Sequence, residues 1–203
     1  MENNSRRTRG FFAAVAAVAV VSLAGCNNYD RLIELDQTCE STWGDVQAEL
    51  QRRYDLVPNL VAAVKGSAAH EEKTLAEVTQ ARASATSIKL TGADLEDPVK
   101  MEAFNKAQAQ LSGSLSRLMV VQEQYPDLKA NQGFHSLQVQ LEATENRILR
   151  SRQQYNASVR DFNSELGKIR GKVVKRASGN TFKPRQYFNA TSADAQQAPK
   201  VSF

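Results

Sequence analysis

Disulfides, metal sites and sharp reversals all have few residues to draw on in this chain. Its 203 residues include two cysteines, two histidines, five prolines and only 7 % aromatic side chains. Cys26 and Cys39 are the only thiols, so modification of either one rules out an intramolecular disulfide and leaves folding to packing alone. His70-Glu71 opens a zinc-protease pattern, but Thr74 stands where the second histidine of the i, i+4 pair is required. His135 has no cysteine or carboxylate cluster at ligand spacing around it, so surface or capping roles are expected for both histidines. There is no Gly-x-Ser-x-Gly elbow and no glycine-rich phosphate loop, and Gly113-Ser114 falls inside a helical pattern. The paired acids Glu71-Glu72 and Asp94, Glu96 and Asp97 read as helix-start charge and solvated loop. No catalytic residue, cofactor or metal is expected, and the chain reads as a non-enzyme. A 41 % hydrophobic content rich in Ala and Leu, beside abundant Gln, Glu and Arg, suits long helices better than a thick globular core.

Long apolar runs are also scarce, and the one present is at the start. Arg6, Arg7 and Arg9 precede the run Phe11 to Ala24, which is closed by Leu23-Ala24-Gly25-Cys26. A basic segment, an apolar stretch and small residues at a cut point make a secretory signal, and the run is short of the roughly 20 apolar residues that span a bilayer. Leu-Ala-Gly-Cys resembles the lipobox of bacterial lipoproteins, which implies a diacylglyceryl thioether on Cys26, cleavage after Gly25 and further acylation, for example with palmitate. An uncleaved anchor, or an ordinary signal with a chance cysteine, is the plainer alternative. A twin-arginine route is disfavoured, because Arg9 stands where that signal expects phenylalanine. Loss of residues 1–25 removes three basic residues and one acidic residue, leaving 23 against 21, so half of the formal +4 charge belongs to the targeting segment. Nucleic acid is therefore not an expected partner. Asn27 lacks the aspartate that retains many lipoproteins in the inner membrane, which in a two-membrane cell points to the outer membrane, facing the periplasm.

From Leu32 the apolar residues advance by threes and fours through Leu35, Cys39, Trp43, Val46, Leu50, Val57, Leu60 and Val64, one face of a helix. Cys39 lies on that stripe and is expected to be a buried small hydrophobe. Arg53 occupies a place due to an apolar residue. Pro58 interrupts the interior and leaves two readings open: a helix that carries through it and turns back near Gly66, or a reversal at Asp55 to Pro58 with Asp55 as a cap. A second stripe runs from Leu75 to Ile88, and Lys89 to Asp97 forms a polar connection. Asp97-Pro98 then suits a cap followed by proline in the first turn, and Met101, Phe104, Leu111, Leu115, Leu118, Val121 and Tyr125 continue at helical spacing up to Pro126. After Asn131 a single pattern extends from Phe134 to Val173, about 60 Å of helix, with lapses at Thr144, Glu145, Ser151 and Arg152. Beyond Gly179 the composition predicts an extended tail. The expected organisation is a signal over 1–25, a helical domain over 26–178 and a tail over 179–203.

Several stretches together resemble the LemA family: Gln51 to Val61, Lys65-Gly66, His70-Glu71, Thr79 to Ala83, Tyr125 to Asn131, Glu142 to Ile148, Tyr155-Asn156, and the end from Phe182-Lys183-Pro184 to Phe203. The resemblance implies an all-α fold, an antiparallel up-and-down four-helix bundle of long helices with an extended C-terminal tail, tethered to a membrane and held outside the cytoplasm. It implies no established reaction. Three departures stand out: a lipobox in place of a longer transmembrane helix, Ser67 where an aromatic is expected after Lys-Gly, and Arg170-Gly171-Lys172 in place of Phe-Pro.

Three sets of residues are candidates for function. Arg52, Arg53, Asp55 and Asn59 on one helix, with Glu142, Glu145, Asn146 and Arg147 on another, are expected to form an inter-helix polar layer that fixes register, with Arg53, Asn59, Glu145 and Arg147 at its centre. Lys168, Arg170, Lys172, Lys175, Arg176, Lys183 and Arg185 form a basic run without an acid. It is either helix-end charge on a solvated linker or a surface for anionic lipid or an acidic partner. The terminal Pro199-Lys200-Val201-Ser202-Phe203 either packs on its own bundle or is read by a PDZ-like groove. The expected function is a lipid-anchored scaffold or adaptor for envelope proteins, self-association remaining open. The alternative is a lipid-binding or membrane-organising module built on residues 168–185, and a less favoured one is an envelope enzyme with an unrecognised site.

Overall fold

The computed structural model describes residues 2–67, 71–121, 124–177, 179 and 182–189, and for residues 2–28, 67, 169, 170, 174 and 177 it describes the backbone alone. His70 and the terminal pentapeptide lie outside these residues, as do the side chain of Cys26 and that of Arg170. The described chain is all-helical: α1 (Glu2–Ser67), α2 (Glu72–Ser87), a 3₁₀ turn (Gly92–Glu96), α3 (Pro98–Val121), α4 (Pro126–Lys129), α5 (Gln132–Gly167) and α6 (Ile169–Ala177). Residues 182–189 are extended. Among the described residues no helix is long and apolar enough to cross a membrane.

The first open question is decided at Pro58, where α1 continues to Ser67 without reversing. A proline cannot supply the N–H that its helix owes to the carbonyl four residues earlier, that of Tyr54. Arg82 Nε on α2 donates to that carbonyl instead, at 2.8 Å. The packing partner thus satisfies the acceptor that the proline leaves over. Asp55, free of any capping duty, sits on the exposed face and accepts from Gln51 Nε2 at 2.7 Å.

Other boundaries follow local chemistry. The Asp97 carboxylate accepts from the backbone N–H of Val99 and Lys100, at 2.8 and 3.3 Å, and so caps α3 ahead of its first-turn proline. Tyr125, before Pro126, is extended, and the Asn131 side chain caps α5 by accepting from Phe134 N at 3.1 Å. Two expectations need correction. The long helix expected from Phe134 to Val173 breaks at Lys168, which is extended (φ −65°, ψ 158°). The chain then doubles back so closely that a Cβ on Gly171 would collide with the Glu165 carbonyl oxygen, a fold open only to glycine. The connection before α3 is not simply polar either, because Leu90 and Leu95 are buried beneath it.

Contacts across the helices fix their directions. Thr42 meets Ser158 and Arg53 meets Glu145, so α1 and α5 run antiparallel. Tyr54 meets Arg82 while Gln47 reaches the Leu90 carbonyl, so α2 also runs against α1. Trp43 packs on Phe104 and Arg53 on Ser112, so α3 runs with α1. The core follows the predicted stripes: Leu32, Cys39, Val46, Leu60 and Val64 of α1 are fully buried, with Leu111 and Leu118 of α3 and Tyr155 and Val159 of α5. Each large apolar side chain so buried contributes about 1.5–3 kcal/mol. Cys39 is a free thiol, and burial pushes its pKa up.

Candidate functional site

A polar layer crosses the core where the stripe of α1 lapses. Arg53 is only 2 % exposed, and its Nη1 donates to Ser112 Oγ on α3 (2.9 Å) and to Glu145 Oε1 on α5 (3.1 Å). Its Nη2 donates to Gln108 Oε1, whose own Nε2 donates to the Tyr54 hydroxyl at 2.6 Å. That hydroxyl points at the Ala85 carbonyl of α2, 3.5 Å away, and burial raises its pKa. The layer therefore ties α5, α1, α3 and α2 together in a single chain of bonds. Its charge pair reaches water only through Glu145, whose side chain is 38 % exposed. Of the residues expected here, the structure brings Arg53 and Glu145 together and leaves the others out. Arg52, Asp55, Asn59, Glu142 and Asn146 are exposed, and Arg147 is half-buried. Asn59 is six residues from Arg53 and Arg147 two from Glu145, roughly 240° and 200° around a helix of 3.6 residues per turn, so neither can share the seam. Gln108 and Ser112, which complete the layer, lie four apart on α3, and in the sequence both resemble ordinary surface residues.

The second constellation is the tail. Residues 182–189 form a strap along α5, held by two asparagine side chains seven residues apart. Asn163 accepts from Arg185 N and donates to Arg185 O, both at 2.9 Å. Asn156 accepts from Phe188 N at 2.9 Å and donates to Phe188 O at 3.0 Å. Seven helical residues rise about 10.5 Å and three extended residues span about 10 Å, so the two spacings match. Between the clamps, Tyr155 Oη donates to Gln186 O (2.9 Å) and Gln186 N to the Leu95 carbonyl (2.7 Å). Phe182 packs edge-on against Tyr29 and Phe162, and Phe188 against Trp43 and Phe104. Tyr155-Asn156 belongs to the sequence resemblance, but nothing there pairs it with Asn163 or with the tail.

Arg185 corrects the expectation of a continuous basic surface. It is 3 % exposed, and its guanidinium donates to Asp36 Oδ1 (2.7 Å), Glu40 Oε1 (3.2 Å) and Gly92 O (3.3 Å). Burial by itself would lower its pKa, but the hydrogen bonds to Asp36 and Glu40 and the charge on Asp36 act together to raise it. A Cβ on Gly92 would meet Glu40 Oε1 at 2.7 Å, so a larger residue there would displace the Glu40 carboxylate that bonds Arg185. Lys183 pairs with Glu96 at 3.6 Å, and Lys168 with Glu165 at 2.6 Å. The acids missing from the run in sequence come from α1, the 3₁₀ turn and α5. Lys172 and Arg176 of α6 remain exposed, and Lys175 is half-buried.

The open spaces have little chemical character. A groove of about 840 Å³ between α2 and α3 is lined by small residues such as Ala76, Ala81, Ala109 and Gly113, with Glu77, Lys106 and Arg117 on its rim. A smaller one of about 420 Å³ lies over Glu145 and Ser112. Among the described residues no three His, Cys, Asp or Glu side chains gather as a metal site.

Residues 42–203 match the model of the LemA family. Magnetosome protein MamQ 2 and magnetosome protein MamQ 1 of Paramagnetospirillum magneticum are each 24 % identical to this chain over 213 residues, spanning 95 % of it and 78 % of their own length. Magnetosome protein MamQ of Magnetospirillum gryphiswaldense is 23 % identical over the same span.

Proposed function

Because the chain belongs to the LemA family, we propose that it is a non-enzymatic, membrane-associated scaffold or adaptor of the cell envelope, an up-and-down four-helix bundle held to the membrane by lipid on Cys26. The observation that carries this reading is that α1 continues through Cys26 into the core without a break. From Cys26 to Leu32, which is fully buried, the helix rises about 9 Å, so no slack linker separates anchor from bundle. A domain mounted in this way holds its faces at a fixed height and raises the effective concentration of any partner at the same surface. The core polar groups favour display over catalysis, since Arg53 and Arg185 are both committed to bonds between elements. The relatives being magnetosome proteins fits a component of a larger assembly. The outer membrane, facing the periplasm, is the proposed location in a two-membrane cell.

Two measurements test the reading. Labelled palmitate should enter the wild-type protein and not Cys26→Ala, and label in the variant would overturn the anchor. In-cell crosslinking with mass spectrometry should yield defined protein adducts that weaken in Cys26→Ala. Adducts limited to copies of the chain itself would point to membrane-organising self-assembly instead.

A further inference from the structure

We infer that α6 is a docking surface for anionic lipid headgroups, laid against the bilayer beside the anchor and setting the tilt of the bundle. The inference rests on the membrane attachment proposed above and adds the chemistry of the surface that is met. Position carries it first. The chain enters α6 from Leu166 and Lys168, and Phe182, five residues after α6, packs its ring on Tyr29 at 5.8 Å and on Phe162 at 6.3 Å. Tyr29 is three residues from Cys26, a rise of about 4.5 Å. The start of α6 follows the end of α5, which runs antiparallel to α1, and so lies at the end of the molecule where the lipid would emerge; α6 packs against both α1 and α5.

Charge carries it second. Lys172 and Arg176 are exposed at i, i+4, and Val173, 63 % exposed, lies on the same side of the helix, about 100° from Lys172. Cations flanking an exposed apolar side chain on a short helix suit the headgroup boundary, where ammonium and guanidinium meet phosphate and the valine enters the acyl edge. Gly171 presses this helix onto the end of α5, so the face is held in place. Arg185 and Lys183 take no part, being engaged with Asp36, Glu40 and Glu96.

The test uses the full chain reconstituted in vesicles of phosphatidylcholine, alone or mixed with phosphatidylglycerol. Flotation measures attachment, and hydrogen exchange over 169–177 measures contact. Exchange in α6 should slow about tenfold or more in the anionic vesicles, the return expected from two cations at an anionic surface. The protection should be lost in high salt and in the double variant Lys172→Glu, Arg176→Glu, whose strap amides at Arg185 and Gln186 should stay protected as a check on folding. Equal exchange in both vesicles, with the protein still floating, would overturn the inference and leave the anchor standing. Slowing by inorganic phosphate without vesicles would overturn it in favour of an ion site. A chain that fails to float in either mixture would overturn the anchor and the inference together.

Discussion

The bond between Arg82 and the Tyr54 carbonyl exists because residue 58 is proline, and this can be measured as a coupling. Replacing Arg82 with Met keeps most of the aliphatic stem but removes the donor at 2.8 Å. A half-buried carbonyl is then left without its helical partner, and a hydrogen bond from a charged group is worth about 1.5–3 kcal/mol. For a domain of this size about 2 kcal/mol corresponds to a fall in Tm of roughly 4–8 °C. In the background Pro58→Ala the new N–H reaches the same carbonyl, and relief of the interior proline contributes up to about 3 kcal/mol in the opposite direction. Arg82→Met should then cost under about 1 kcal/mol, giving a coupling on the order of 1–2 kcal/mol in a double-mutant cycle. The assay is urea unfolding of the four proteins under identical conditions. An equal cost of Arg82→Met in both backgrounds would refute the reasoning and assign Arg82 a role unrelated to the proline.

Three further outcomes follow from the same geometry. Asn163→Ala removes two bonds to the strap, about 2 kcal/mol in all; amide exchange at Arg185, Gln186 and Phe188 should accelerate roughly thirtyfold with little change in global Tm, whereas unchanged exchange would show that the aromatic rings alone hold the segment. Adding Asn156→Ala should cost less than it does alone, because a released strap has little left to lose. Arg53→Met strands Gln108 Oε1 while Glu145 rehydrates, and should lower stability by about 2 kcal/mol; an unchanged Tm would mean that the layer has no structural weight. Burial raises the pKa values of Tyr54, Tyr155 and Cys39, so each favours folding below its unfolded-state pKa of about 8.5–10 and withdraws that support as pH rises towards its folded value. Urea midpoints should fall from about pH 9 upward, and a flat profile to about pH 11 would contradict the burial of these groups.

Sequence by itself determined the elements whose causes are local. The threes and fours of Leu32 to Val64 define the buried face of α1, the caps at Asp97 and Asn131 mark where α3 and α5 begin, and the gap at Arg53 marks a place where a charge must find a partner. Long stretches shared with the LemA family were legible for the same reason, being contiguous. What only the tertiary structure decided depends on groups brought together from distant positions. Whether Pro58 turns the chain rests on Arg82 arriving from α2. Where the long C-terminal helix ends rests on Gly171 closing onto Glu165. Whether Arg185 faces water or the core rests on Asp36 and Glu40, some 150 residues earlier in the chain. Each of these is a hydrogen-bonding demand or a close contact that one segment creates and another must satisfy, and neither segment alone shows which partner will answer.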